Sequence, residues 1–104
     1  MPMILLTVPS SATLEELTHA NTAITTAARN EGVQGGITIW PIKLAIVPKR
    51  LLLEYKSRQD PPNDKNILAQ VLASAAERAF NIQVEAVVIK LDSETTGLHI
   101  TPKP

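Results

Sequence analysis

At 104 residues with 44% hydrophobic content, the chain is sized for one domain around a single core, and that core is aliphatic because Trp40, Tyr55 and Phe80 are its only aromatic residues. Zero formal net charge disfavours long polyanions as partners, and so few aromatics leave little for base stacking, so no nucleic-acid partner is expected. Without cysteine, disulfides, thiolate metal sites and a cysteine nucleophile are excluded, and the opening apolar stretch at 3–8 is too short for a membrane span or a signal core, which makes a cytoplasmic protein with no membrane partner the expectation.

The chain begins MPMILLTVP. Residues 3–8 read as a buried strand that ends at the Pro9-Ser10-Ser11 punctuation. A helix follows: Thr13 with Glu16 spells a capping box, Leu14, Leu17, Ile24 and Ala28 recur at helical spacing, and Gly32 stops the run. Its many threonines lower helix propensity, so packing must supply the difference. After Gly35-Gly36, ITIW and IKLAIV read as extended. Pro41 inside that run removes a ladder donor, which argues for an edge strand, a bend or a hairpin corner. LLLEYK at 51–56 is the next strand, and the polar SRQDPPND connects it to a second helix. Asn63 or Asp64 caps that helix, and Ile67, Leu68, Val71, Leu72, Ala75, Ala76, Ala79 and Phe80 form its broad apolar face. VEAVVIKLD at 84–92 is the last clear strand, before a tail at 93–104 containing LHIT.

The order strand, helix, strand, strand, helix, strand predicts a two-layer α+β sandwich of two similar halves, about 1–47 and 50–92, with two helices on one face of a four-stranded sheet. Ferredoxin-like domains and two-unit tautomerases both have this order. Leu5, Ile39, Leu52, Val87 and Ile89 suggest strands apolar on both sides, a pattern a small monomer cannot cover; the chain is expected to be a homo-oligomer, a trimer first.

Charge is unevenly spread. Lys43, Lys49, Arg50, Lys56, Arg58 and Lys65 outnumber Glu54, Asp60 and Asp64 between positions 43 and 65, a basic stretch suited either to a carboxylate or to guarding a strand edge. Other chemistry-bearing patterns are thin. His99 with Thr101 makes one His-x-Thr but lacks a second, His19 reads as a helix-surface residue, and the two histidines without an acidic cluster make a poor metal site. Asp60, Asn63 and Asp64 do not follow a calcium-loop order. No metal or cofactor is expected.

Several segments together resemble the macrophage migration inhibitory factor-like tautomerases: PMILLTVP at the start, ATLEELTHANTAITTAARN, NDKNILAQVLASAAERAFNI and VEAVVIKLD. The resemblance implies a homotrimer of two-unit subunits, with an N-terminal proline as acid-base in a pocket between subunits and no cofactor. By this resemblance Pro2 is the catalytic residue, and the family's basic residue near the end of the first helix falls on Arg29. Lys43 and Arg50 are further candidates for holding a substrate carboxylate by charge and position. The chain also departs from the family. AIVPKR and YKSRQD stand where glycine-serine and Ser-Ile-Gly stretches are usual, and Val87 and Ile89 stand where the family's last strand supplies Tyr and Asn.

The chemistry at Pro2 depends on its nitrogen. With Met1 removed it is a secondary amine, which apolar neighbours turn into a base near neutral pH; with Met1 retained it is a tertiary amide without basicity. Two functions therefore stand: a tautomerase-like isomerase moving a proton in a small keto-enol acid, or a noncatalytic ferredoxin-like module that binds a protein partner or assembles through its apolar sheet face or Lys-rich edge.

Overall fold

The computed structural model describes residues 2–44 and 49–91. The elements run β1 (Met3–Pro9), α1 (Leu14–Asn30), β2 (Thr38–Leu44), β3 (Arg50–Ser57), α2 (Lys65–Phe80) and β4 (Gln83–Lys90). This is the expected β-α-β-β-α-β order. Residues 45–48 of the expected second strand, and LHIT with His99 and Thr101, fall outside the described residues.

Local chemistry sets the helix ends. At α1 the Thr13 side chain accepts the Glu16 N–H at 3.1 Å while the Glu16 carboxylate accepts the Thr13 N–H at 2.9 Å, so two otherwise orphaned donors are satisfied. Replacing Thr13 with alanine is expected to cost about 1 kcal/mol, read as a lower thermal midpoint with an unchanged circular-dichroism spectrum. Asp64 caps α2 by accepting the Asn66 N–H at 2.7 Å, and the helix closes on Asn81 in the left-handed conformation.

Both helices lie on one face of the sheet. Ala20, Ile24 and Ala28 of α1 and Leu68, Leu72, Ala75, Ala76 and Phe80 of α2 meet Ile4, Leu6, Val8, Leu51, Leu53, Tyr55 and Val84 in one core. Strands β1 and β3 are central, so their inward positions are buried at every second residue, whereas edge strand β2 is largely exposed. Pro41 sits on that edge strand, where its missing N–H leaves no ladder bond unmade.

Strand order separates the two architectures that share this element order. The sheet runs β2-β1-β3-β4; β1 pairs parallel with β2, β3 pairs parallel with β4, and the two units join through antiparallel β1 and β3. Each β-α-β unit keeps its own strands adjacent. A ferredoxin-like split unit would insert a strand between them, so that alternative is excluded.

Among the described residues no helix lies against the second sheet face. Leu5, Leu52, Val87 and Ile89 lie there as the alternation predicts, with Met3, Trp40 and Ile42 beside them. Ile39 does not: its register with the buried Ile4 turns it to the helical side, where it packs on the core. Among the described residues no helix is long and apolar enough to cross a membrane.

Candidate active site

Pro2 is buried. It continues the inward alternation Ile4, Leu6, Val8, and its carbonyl accepts the Thr38 N–H at 3.3 Å, at the start of β2. In an extended chain a residue's nitrogen and carbonyl lie on the same edge, which is why one residue can exchange both bonds with one partner. The nitrogen of Pro2 therefore looks toward β2 and the segment that leads into it.

That segment, 31–37, is held by Arg29. The guanidinium donates from Nη1 to the Val33 carbonyl at 3.0 Å and from Nη2 to the Gly35 carbonyl at 2.5 Å. Val33 is buried and its N–H bonds to the Ala28 carbonyl at 3.1 Å, so the chain turns tightly off α1. Gly32 allows the turn with φ +89°; a Cβ there would also press on Pro62 at 3.2 Å. A guanidinium has five N–H donors in a planar fork, and these two bonds use two of them. Arg29 and the nitrogen of Pro2 thus border the same short segment from two sides.

The other proposed cations lie elsewhere. Lys43 pairs in register with Val8, near the far end of β1. Arg50 opens β3, which runs antiparallel to β1, and its guanidinium meets Glu85 at 3.4 Å. Six residues of strand separate Pro2 from Val8, about 20 Å, so neither cation reaches Pro2 within one chain. The same antiparallel pairing brings to the Pro2 end residues that were not selected. Lys56 pairs directly with Met3, and Lys90, at the matching end of β4, meets Asp60 at 3.3 Å. Only the strand pairing reveals this, since residues 50 and 56 are equally distant from Pro2 for any purpose of sequence spacing.

Tyr55 pairs with Ile4, two positions from Pro2, and is 3% exposed. Burial pushes its hydroxyl pKa up, so the group stays protonated and neutral at ordinary pH. It faces the helical layer, whereas Val87 and Ile89, the positions corresponding to the family's Tyr and Asn, pair with Glu54 and Lys56 on the open sheet face. A cleft of about 840 Å³ between α1 and α2 is lined by His19 and Arg78 among others, and Pro2 is not in its lining. Among the described residues no three His, Asp or Glu side chains gather in a way that could hold a metal ion.

Neither a protein-family profile nor a curated protein matches the sequence. Solved structures do match the fold. A wild-type fused 4-OT, an asymmetric trimer, superposes with a TM-score of 0.76 at 10% identity, covering 86% of this chain and 85% of that one. The chain has the tautomerase fold. MIF2 of Leishmania major matches with a TM-score of 0.71 at 12% identity over 88% and 89% of the two chains. A malonate semialdehyde decarboxylase matches with a TM-score of 0.69 at 16% identity over 86% and 84%. The tautomerase fold thus accounts for nearly the whole described chain, and a second fused 4-OT with this fold is a symmetric trimer.

Proposed function

We propose that the Met-free chain is a tautomerase-like isomerase that moves a proton between carbon and oxygen of a small keto-enol acid, with Pro2 as the base. The observation that carries this is the burial of Pro2 at the head of a central strand in a tautomerase fold, with its nitrogen turned to the segment that Arg29 holds. Burial among apolar residues disfavours a protonated amine, so the free nitrogen is a competent proton acceptor near neutral pH. The substrate's enol O–H or the carbon-bound hydrogen is the proton in play. Pro2 takes it from one atom and returns it to the other, so no net proton and no cofactor is consumed.

Arg29 supplies the anion contact. Its guanidinium is fixed by two carbonyls, so little side-chain freedom is lost when the remaining donors meet a carboxylate. Lys43 and Arg50 enter such a site only from a neighbouring subunit, and the trimeric fused 4-OT structures with this fold support a homotrimer here. Ketonisation of phenylenolpyruvate by Met-free protein tests the reading. It is expected to run faster than in buffer, with Arg29→Ala raising KM more than it lowers kcat. A Met-free chain no faster than buffer overturns the enzyme and leaves a noncatalytic assembly module.

A further inference from the structure

A polar side chain is enclosed beside the proposed base. Ser57, the last residue of β3, is 6% exposed, and, Tyr55 aside, no other polar or charged side chain is buried among the described residues. The pairing of β1 with β3 places it. Met3 stands opposite Lys56 and Ile4 opposite Tyr55, so one step further along the register Pro2 stands opposite Ser57. Both belong to the inward series of their strands, Pro2 with Ile4 and Leu6, Ser57 with Leu53 and Tyr55, so they share the helical side of the sheet. The Pro2 carbonyl is bonded to Thr38 on the β2 side, which leaves Pro2 and Ser57 without ladder bonds to each other. Opposed residues of that kind have Cα atoms about 4.5 Å apart, and their side chains come closest.

The Ser57 hydroxyl is only half used. Its oxygen accepts the Gln59 N–H at 3.2 Å, while among the described residues its hydrogen meets no acceptor. Lys90, its partner on β4, offers donors only and meets Asp60 at 3.3 Å. A buried donor left unspent is unfavourable until something accepts it. The residue is also held in place, because its carbonyl accepts the Leu91 N–H at 2.7 Å. The Pro2 nitrogen is not that acceptor: it looks toward β2, and the proline ring stands between it and a hydroxyl on the β3 side. Strand spacing sets the two groups roughly 5–7 Å apart, the span of one keto-enol unit with a hydrogen-bond length at either end. We infer that Ser57 donates its hydroxyl hydrogen to the substrate's enol oxygen while Pro2 carries the proton. In ketonisation Pro2 takes the enol O–H proton, and the enolate left behind becomes the carbonyl as its adjacent carbon takes that proton back. Ser57 keeps its own hydrogen throughout and stabilises the negative charge on the oxygen between the two transfers.

The assignment rests on the proton transfer by Pro2 given above, and the two fail separately. Ketonisation of phenylenolpyruvate is read for the Met-free wild type, Ser57→Ala, Ser57→Cys and Ser57→Thr, with circular dichroism reporting the fold and a nuclear magnetic resonance titration reporting the Pro2 nitrogen. Ser57→Ala is expected to lower kcat about 10²-fold, the loss of one donor to a developing oxyanion, with KM changed far less and Pro2 titrating as in the wild type. Ser57→Thr keeps the hydroxyl and should keep most of the rate. If Ser57→Ala unfolds the chain, Ser57→Cys carries the test, since it fills the same space with a weak S–H donor: a lowered kcat in the folded variant supports the donation, and a wild-type kcat overturns it. A folded alanine variant with wild-type kcat, equal losses for alanine and threonine, or a loss that follows a shifted Pro2 titration overturns the role of Ser57 and leaves Pro2 as the base. A wild type no faster than buffer overturns the chemistry of Pro2 and that of Ser57 with it.

Discussion

Adding one residue ahead of Pro2 in otherwise Met-free protein is expected to lower kcat/KM for an enol acid by about 10²–10⁴-fold, the usual contribution of a positioned acid-base group. Acylation converts the secondary amine into an amide and removes the lone pair that accepts the proton. The fold should not register the change, because Pro2 keeps its carbonyl bond to Thr38 and its inward packing. Pro2→Ala retains a free amine, so its loss should be smaller than that of the blocked chain. That ranking separates the chemistry of the nitrogen from the shape of the ring: equal activity in blocked and free chains would make Pro2 structural.

Leu72→Ala is expected to carry the largest stability loss, about 2–5 kcal/mol. Leu72 is fully buried in α2, in the cluster that joins both helices to β1 and β3, and the tightly packed alanines Ala75 and Ala76 beside it cannot collapse into the space it leaves. Phe80→Ala should fall toward the lower part of its range, since Phe80 closes the end of the helix and is 8% exposed. Denaturant unfolding at one fixed protein concentration measures both, because assembly makes apparent stability concentration-dependent. An unchanged midpoint for Leu72→Ala would place that face of α2 outside the core.

The elements were readable wherever local chemistry and periodicity agreed. Thr13 and Glu16 announced the start of α1 and Asn63 or Asp64 that of α2, where Asp64 is the cap; of the apolar positions read from Ile67 to Phe80, Leu68, Leu72, Ala75, Ala76 and Phe80 are buried while Ile67 is exposed. Pro41 left an edge strand, a bend or a hairpin corner open, and β2 is an edge strand. What remained closed was whatever depends on how strands pair. Ile39 was counted on the open face because a short apolar run does not show which parity faces the helices; the register with Ile4 decides it. The two architectures with one element order were separated only by strand adjacency.

The site followed the same division. Pro2 was singled out as a proline heading a buried strand, and Arg29 through the resemblance and its charge near the end of α1; the structure sets both beside the segment 31–37. Lys43 and Arg50 were chosen by charge and approximate position; parallel pairing of β1 with β2 puts Lys43 at the far end of the sheet, and antiparallel pairing of β1 with β3 puts Arg50 there while returning Lys56 to the Pro2 end. The two carbonyl bonds of Arg29 had no sequence signature beyond the glycines at 32 and 35 that let the loop fold back on it.

Burial is expected to make the nitrogen of Pro2 in the Met-free chain a base near neutral pH. Titration of Met-free protein labelled with ¹³C and ¹⁵N at proline, followed by nuclear magnetic resonance, reads that nitrogen directly. Burial disfavours the charged form, so the pKa should lie below the ordinary α-amino range of about 7.7–8.0, and kcat/KM should fall as pH drops through the same value because the base becomes protonated. A Pro2 amine that titrates at or above that range, or a rate profile flat across the measured pKa, would contradict the account.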